Sequence, residues 1–257
     1  MRLTLDCICV DLGRRAALRD VTASFEPGHL TLVIGPNGAG KTTMLRAAAG
    51  LVKPVSGEVR LDRRAVSAIH GAERARAVAY LPQGGTVAWP MPVRDVVALG
   101  RLPHGEQPDR LSVSGRDAVE AALAAVGLKG FESRSATALS GGERARVLLA
   151  RALATSAPIL LADEPVAALD PRHQLIVLDV LRERARAGAT VVAVMHDLAL
   201  AARYADEIVV LTQGRVQASG RPDEVLTEAR IAESFGIEAR VSVTEDTLVV
   251  TARRPLG

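Results

Sequence analysis

The chain is expected to fold as an α/β protein around a largely parallel sheet with helices on both faces. Three observations predict this. Short runs that are apolar throughout recur, among them Thr31-Leu32-Val33-Ile34, Val78-Ala79-Tyr80-Leu81 and Ile159-Leu160-Leu161-Ala162. A strand apolar at every position, rather than at alternate ones, is buried on both faces, as parallel strands are. Such runs alternate with stretches of helical periodicity, the order that builds βαβ units. Finally, 257 residues, 48% hydrophobic and 24% charged, suffice for one large domain with a sizeable core.

Residues 2–34 read as strands, the last of them running straight into Gly35. Helical spacing then continues from Lys41 to Ala49, and Gly50 stops it. Residues 78–81 form a strand ended by Pro82. Residues 93–99, 116–126 and 143–154 are helical, so a helical subdomain is expected over roughly 85–157 within a single domain of residues 1–257. Alternation then resumes: strand 159–162, helix 171–186, strand 190–195, helix 198–204 and strand 208–211. Gln213-Gly214 turns that last strand into 215–218 as a hairpin. No internal repeat or low-complexity linker interrupts the series, and the stretch after Arg240 leaves little room for a regulatory domain.

Composition narrows the function. A net charge of +3 and only six aromatic residues offer neither the field nor the stacking platform of a nucleic-acid reader, so no nucleic-acid partner is expected. Of 32 basic residues three are lysines, Lys41, Lys53 and Lys129, and one of these sits in a glycine-rich loop, where a compact charge suits a phosphate. Cys7 and Cys9, the only cysteines, share one face of the first strand and read as two small apolar residues rather than a metal or redox site. The opening residues lack the apolar stretch of a signal peptide, and no run approaches the ~18–20 residues of a membrane span. A cytosolic chain is expected, with any membrane role exercised through a partner.

Three segments carry chemistry. Gly35, Pro36, Asn37, Gly38, Ala39, Gly40, Lys41 and Thr42, followed by Thr43, link a strand to a helix. Glycines let backbone N–H groups curl round phosphate oxygens, the helix start adds positive potential, Lys41 reaches the outer phosphates and Thr42 offers a hydroxyl to Mg²⁺. Asp163 and Glu164 end an apolar strand: the first suits Mg²⁺ and the second is free to deprotonate an attacking water. Leu139-Ser140-Gly141-Gly142-Glu143 precedes a helix that Ser140 caps, and its glycines allow bare amides to approach an anion. It is a second phosphate-binding helix start, besides the one at Lys41.

With residues 35–43, 139–143 and 163–164 following one another along the chain, it resembles the ATPase subunits of ABC transporters along nearly its whole length. The first segment is similar to the family's Walker A, residues 160–164 to its Walker B with catalytic glutamate, and residues 139–143 to its signature motif. Gln83, in Tyr80-Leu81-Pro82-Gln83, resembles the glutamine that touches Mg²⁺ and water and senses the permease. Ala168-Leu169-Asp170 resembles the D-loop, and His196 the switch histidine. The resemblance implies a P-loop ATPase core with parallel sheet, N-terminal antiparallel strands and an inserted helical subdomain. It implies ATP and Mg²⁺ as ligands, Glu164, His196 and Gln83 as catalytic residues, and Thr42, Gln83 and Asp163 at the metal. It also implies a homodimer, or a pair with a close relative, in which Ser140, Gly141 and Gly142 of one subunit meet the ATP held by the other.

Two departures stand out. Glu143 replaces the usual glutamine and adds negative charge near ATP. Residues 10–15, where the family commonly stacks adenine on an aromatic, hold none, leaving Leu12 or the guanidinium of Arg14 or Arg15 to cover the base and predicting loose nucleobase discrimination. Residues 92–101, 197–206 and 225–237 are similar to subunits serving importers of iron–siderophore, haem and cobalamin. That similarity implies a peripheral subunit on the cytoplasmic face of the inner (cell) membrane. There it would bind transmembrane permease subunits through Gln83 and residues 90–101 and depend indirectly on a substrate-binding protein. The alternatives are an ABC ATPase for another substrate, including an exporter's, or a soluble P-loop switch; the base-reading Asn-Lys-x-Asp of a GTPase does not occur.

Overall fold

The computed structural model describes every residue except Ala88, Ala168, Glu245, Asp246 and Gly257. β1 (Leu3–Leu12) and β2 (Arg15–Phe25) form an antiparallel hairpin, followed by β3 (Leu30–Ile34) and α1 (Lys41–Ala48). β4 (Ser56–Leu61), β5 (Arg64–Ala65), α2 (Gly71–Ala77) and β6 (Val78–Leu81) come next. Helices α3 (Val93–Ala98), α4 (Val113–Ala125) and α5 (Gly141–Ala154) then intervene, with a 3₁₀ segment at Leu99–His104 after α3. β7 (Ile159–Ala162), α6 (Pro171–Arg186), β8 (Thr190–Val194), α7 (Leu198–Tyr204), β9 (Glu207–Thr212) and β10 (Arg215–Gly220) restore the alternation. The chain closes with α8 (Pro222–Val225), α9 (Glu228–Phe235) and the hairpin β11 (Ile237–Thr244) and β12 (Thr247–Pro255).

The central sheet runs β10-β9-β3-β8-β7-β6, parallel throughout except for the β9–β10 hairpin. Its strands other than the edge strand β10 are buried at nearly every position because each face packs on a different core. Leu32 of β3, Leu160 of β7, Ala193 of β8 and Val210 of β9 join the core under the helices, while Val33, Leu161, Val192 and Val209 join the core shared with α1 and the second sheet. That second sheet is antiparallel, β2-β1-β4-β5, and supplies Leu3, Leu5, Ile8 and Phe25 to the same core.

Where element limits differ from the pattern, capping is the reason. The helix expected from residue 116 begins at Val113, because the Ser112 hydroxyl accepts from Gly115 N–H. The helix expected from residue 143 begins at Gly141, with Ser140 as its cap, so both glycines stand in the first helical turn. β8 stops at Val194, one residue before the expected limit. Beyond Arg240, the chain pairs in the β11–β12 hairpin, whose inner face buries Ala239 and Val250.

Candidate functional site

Four parallel strands deliver the site from their carboxyl ends, the edge where open α/β sheets bind ligands. β3 runs into Gly35, β6 into Pro82-Gln83, β7 into Asp163-Glu164 and β8 into Met195-His196. Two glycines of the first loop are sterically obligatory. Gly35 has φ +151°, and a Cβ there would lie 1.9 Å from Leu211 O; Gly40, at φ +103°, would place one 2.7 Å from Ala17 O. Gly40 is also the residue from which α1 starts, so the loop ends on free N–H groups.

Lys41 is buried and its Nζ donates to Gly35 O (2.7 Å) and Pro36 O (2.9 Å), which curls the loop round its own ammonium. Burial lowers its pKa, against the opposing pull of Glu164 and Asp163. Thr42 Oγ1 donates to Asp163 Oδ1 (3.2 Å) and the Tyr80 hydroxyl to Asp163 Oδ2 (3.4 Å). Burial raises the Asp163 pKa, while the Thr42 hydrogen bond counteracts it. Burial, with the Asp163 charge, pushes Tyr80 up to about 12.

Glu164 has left-handed backbone, φ +51°, a conformation uncommon for a side-chain-bearing residue and one that turns its carboxylate off the strand axis. Gln83 Nε2 donates to Glu164 Oε2 (2.7 Å) and His196 Nε2–H to Oε1 (2.6 Å). Residues from three strand ends thus meet on one carboxylate. The cleft over them, of about 480 Å³, is lined by Asn37 through Thr43 with Gln83, Glu164, Leu12, Arg15 and Ala17.

The sequence-derived residues therefore fall into two groups. Residues 35–43, Gln83, Asp163, Glu164 and His196 converge. Ser140, Gly141 and Gly142 are absent from the lining of that cleft and stand at the start of α5. There Ser140 and Glu143 close a reciprocal capping box: Glu143 N–H donates to Ser140 Oγ (3.3 Å) and Ser140 N–H to Glu143 Oε2 (2.8 Å). Accepting from Ser140 N–H holds the Glu143 carboxyl below its ordinary pKa. Asp170 caps α6 by accepting from His173 N–H (3.0 Å), which likewise lowers its pKa. Of the segment read as a D-loop, Ala168 lies outside the described residues; Leu169 stands 3.4 Å from where a Cβ on Gly142 would sit, so the two segments touch.

Sequence reasoning missed Tyr80, whose hydroxyl reaches Asp163 only through the β6–β7 pairing, although its place at a strand end beside Gln83 was visible. It also missed Trp89, 71% exposed and the sole tryptophan, directly before the 90–101 segment. The base-covering candidates narrow: Leu12 and Arg15 line the cleft, and Arg14 does not.

The thiol-free, oxygen-rich donor set of Thr42 and Asp163 suits a hard cation such as Mg²⁺, which takes one or two protein ligands and fills the rest from phosphates and water. Among the described residues no helix is long and apolar enough to cross a membrane.

Comparison with known proteins agrees with this geometry. The family model described as ABC transporter matches residues 18–167. A cobalamin import ATP-binding protein of Halobacterium salinarum is 46% identical over 251 residues, covering 96% of this chain. This chain spans only 61% of that relative's length. A hemin import ATP-binding protein of Pseudomonas entomophila is 47% identical over 236 residues, 89% of this chain and 90% of its own. Among solved structures, a dimeric bacterial ABC transporter cassette superposes with a TM-score of 0.74 at 28% identity, over 86% of this chain and 98% of that one. On the matched span, which runs from β2 past Glu164, and on these identities, the chain belongs to the ABC transporter family.

Proposed function

We propose that the chain is the ATP-hydrolysing subunit of an ABC importer and powers uptake of haem, cobalamin or an iron–siderophore complex through a separate permease. One observation carries the ATPase reading: Gln83 and His196 converge on Glu164 beside the loop that holds Lys41. The names of the hemin and cobalamin import relatives support the substrate class.

In this reading the N–H groups of residues 38–43 and Lys41 bind the phosphate chain, with Lys41 exchanging its two loop carbonyls for phosphate oxygens. Thr42, Asp163 and Gln83 would hold Mg²⁺, which would supply positive charge against the phosphates. Glu164 accepts the proton of the attacking water, and His196 orients the Glu164 carboxylate by its 2.6 Å hydrogen bond. Gln83, bonded to the same carboxylate, links the base to the Trp89–Arg101 segment, so permease contact there and water activation share one residue.

Ser140, Gly141 and Gly142 do not line their own subunit's cleft, which supports their serving a second copy. A head-to-tail pair would place each α5 start over the partner's phosphates, and the dimeric cassette among the structural neighbours supports dimerisation. Asp170, beside the Leu169 that packs on Gly142, would sit in the seam. Membrane attachment then comes from the permease, on the cytoplasmic face.

The test reconstitutes the chain with its permease in vesicles and supplies binding proteins loaded with hemin, cobalamin or a ferric siderophore. Stimulated phosphate release and uptake with one of the three is expected. Phosphate release indifferent to permease and to every loaded binding protein would sink the importer reading.

A further inference from the structure

The two cysteines sit where the antiparallel sheet is distorted on three neighbouring strands. Cys7 in β1 (φ +49°), Asp20 in β2 (φ +54°) and Gly57 in β4 (φ +78°) all have left-handed backbone. That conformation is unfavourable for a residue with a side chain. The pairing register slips at the same level: between Leu5 and Ile8, two residues of β1, Asp6 and Cys7, oppose Thr22 alone. A Cβ on Gly57 would fall 2.3 Å from Cys7 O, so β4 closes on the bulge as only glycine permits.

The bulge decides where the thiols point. Strand alternation from buried Leu3 and Leu5 would send residues 7 and 9 into the core. The extra residue resets the alternation so that Ile8 and Val10 are buried instead, leaving Cys7 exposed and Cys9 half-exposed on the outer face. Both sulfurs are held by β2: Asp20 N–H donates to Cys9 Sγ (3.2 Å) and the Thr22 hydroxyl to Cys7 Sγ (3.5 Å). Two strand residues at i and i+2 are about 6.6 Å apart along the backbone, less across a bulge. Two metal–thiolate bonds of about 2.3 Å each hold two sulfurs about 4.6 Å apart, so the two side chains need only lean about 2 Å toward one another.

We propose that Cys7 and Cys9 form a two-thiol site for a soft, thiophilic d¹⁰ cation of the copper(I) class. Thiolates select soft cations, whereas structural zinc demands four ligands. Among the described residues no third Cys, His, Asp or Glu completes a cluster with them. A two-coordinate ion matches that donor count. Binding replaces two S–H bonds by two S–Cu bonds and releases two protons, with the metal staying in the +1 state.

The test is an anaerobic competition for copper(I) between the full chain and bathocuproine disulfonate. The wild-type chain should take one equivalent, with affinity rising as pH rises because protons are released. Cys7→Ser and Cys9→Ser should each weaken binding by about 10²-fold or more, the loss of a second tethered ligand. Wild-type protein alkylated with N-ethylmaleimide should bind none, which checks the result without altering the fold by mutation. Single variants that bind as tightly as wild type, unchanged uptake after alkylation, or a pH-independent affinity would each overturn the proposal.

Discussion

Asp163 is 1% exposed, and burial is the main reason its pKa lies above that of a free carboxyl. A folded-state pKa above the unfolded value, about 3.9, means the folded state holds the proton more tightly. The associated stabilisation is complete below that value and is lost as pH rises through the folded pKa, so at neutral pH the ionised group is a cost. Asp163→Asn should therefore raise the unfolding free energy of the nucleotide-free chain at pH 7–8, on the order of 1 kcal/mol, with the gain vanishing toward pH ~4. Calorimetry showing a lower melting point at pH 7 would contradict this. The same variant should lose Mg²⁺-dependent hydrolysis, because stability and function oppose each other at this carboxylate. Glu164 differs: it is held by Gln83 and His196 in a strained backbone conformation. Glu164→Gln should cut phosphate release by ~10²–10⁴-fold while retaining ATP, giving a dimer that persists on size-exclusion chromatography; near-normal release would remove Glu164 from its role. At the other end of the cleft, Leu12 (50% exposed) and Arg15 stand where no aromatic does. A guanidinium face distinguishes purines by about 1 kcal/mol or less, so ATP and GTP should be hydrolysed within about tenfold of each other. Steady-state rates with both nucleotides check this, and a strong ATP preference would refute it.

Helix α5 shows how an apparent defect in a motif resolves at the scale of the element. Glu143, in place of the family's usual glutamine, is the third helical residue after Ser140 and turns back to accept its N–H. Glutamine offers an oxygen to the same donor, so either residue completes the capping box. What glutamate adds is charge at a helix N-terminus, worth about 0.3–1 kcal/mol. Its folded pKa is depressed, so that contribution is present above the unfolded value and is lost as pH falls through the folded one. Glu143→Gln should lower unfolding free energy at pH 7 by less than ~1 kcal/mol, converge with wild type in acid, and tighten ATP-driven dimerisation by removing a negative charge from a phosphate-facing turn. Denaturant titrations at two pH values and analytical ultracentrifugation with ATP read both effects; unchanged or weaker dimerisation would contradict the second. The elements legible in sequence were those with redundant signals. β6 and β7 are apolar throughout and sharply bounded, and α6 carries a cap at Asp170 and proline at its first position. Helix starts at Val113 and Gly141 were hidden because Gly115, Gly141 and Gly142 lower helix propensity where a serine cap outweighs it. Helix α2 and the C-terminal hairpin were not read because they bury too little: α2 buries no residue, and β11 and β12 one each. Within the site, contiguous chemistry exposed residues 35–43, 140–142 and 163–164, but Gln83 and His196 were nameable only by resemblance. Tyr80 needed strand register to be found, whereas Arg15 was one of three base-covering candidates between which only the structure could choose.

At the scale of the whole molecule, the proposed function has the chain carry two halves of a phosphate site that do not meet within one subunit. The loop ending at Lys41 opens into a cleft that the α5 start does not line. Leu169 lies beside that α5 start, next to Asp170, which caps α6. In the head-to-tail reading, two copies bring the halves together without either chain rearranging. Such sharing between chains is measurable by complementation. Ser140→Arg puts a bulky cation where the serine hydroxyl would meet the partner's phosphate, leaving the first half intact, and Lys41→Ala removes phosphate affinity, leaving the second half intact. Each homodimer has two defective composite sites and should be inactive. In a heterodimer one site receives both lesions and the other receives neither. Random pairing of equal amounts makes about half of all dimers mixed, each with one site of two restored, so about a quarter of wild-type phosphate release is expected if sites act independently. Lys41→Ala mixed with Glu164→Gln is the internal control, because both lesions fall on the same half and no pairing yields an intact site. Activity in the first mixture and none in the second would require that each ATP be shared between chains. Equal silence in both would mean that Ser140 serves the cleft of its own subunit or none at all, and rescue in both would mean that Lys41 and Glu164 do not belong to the same half.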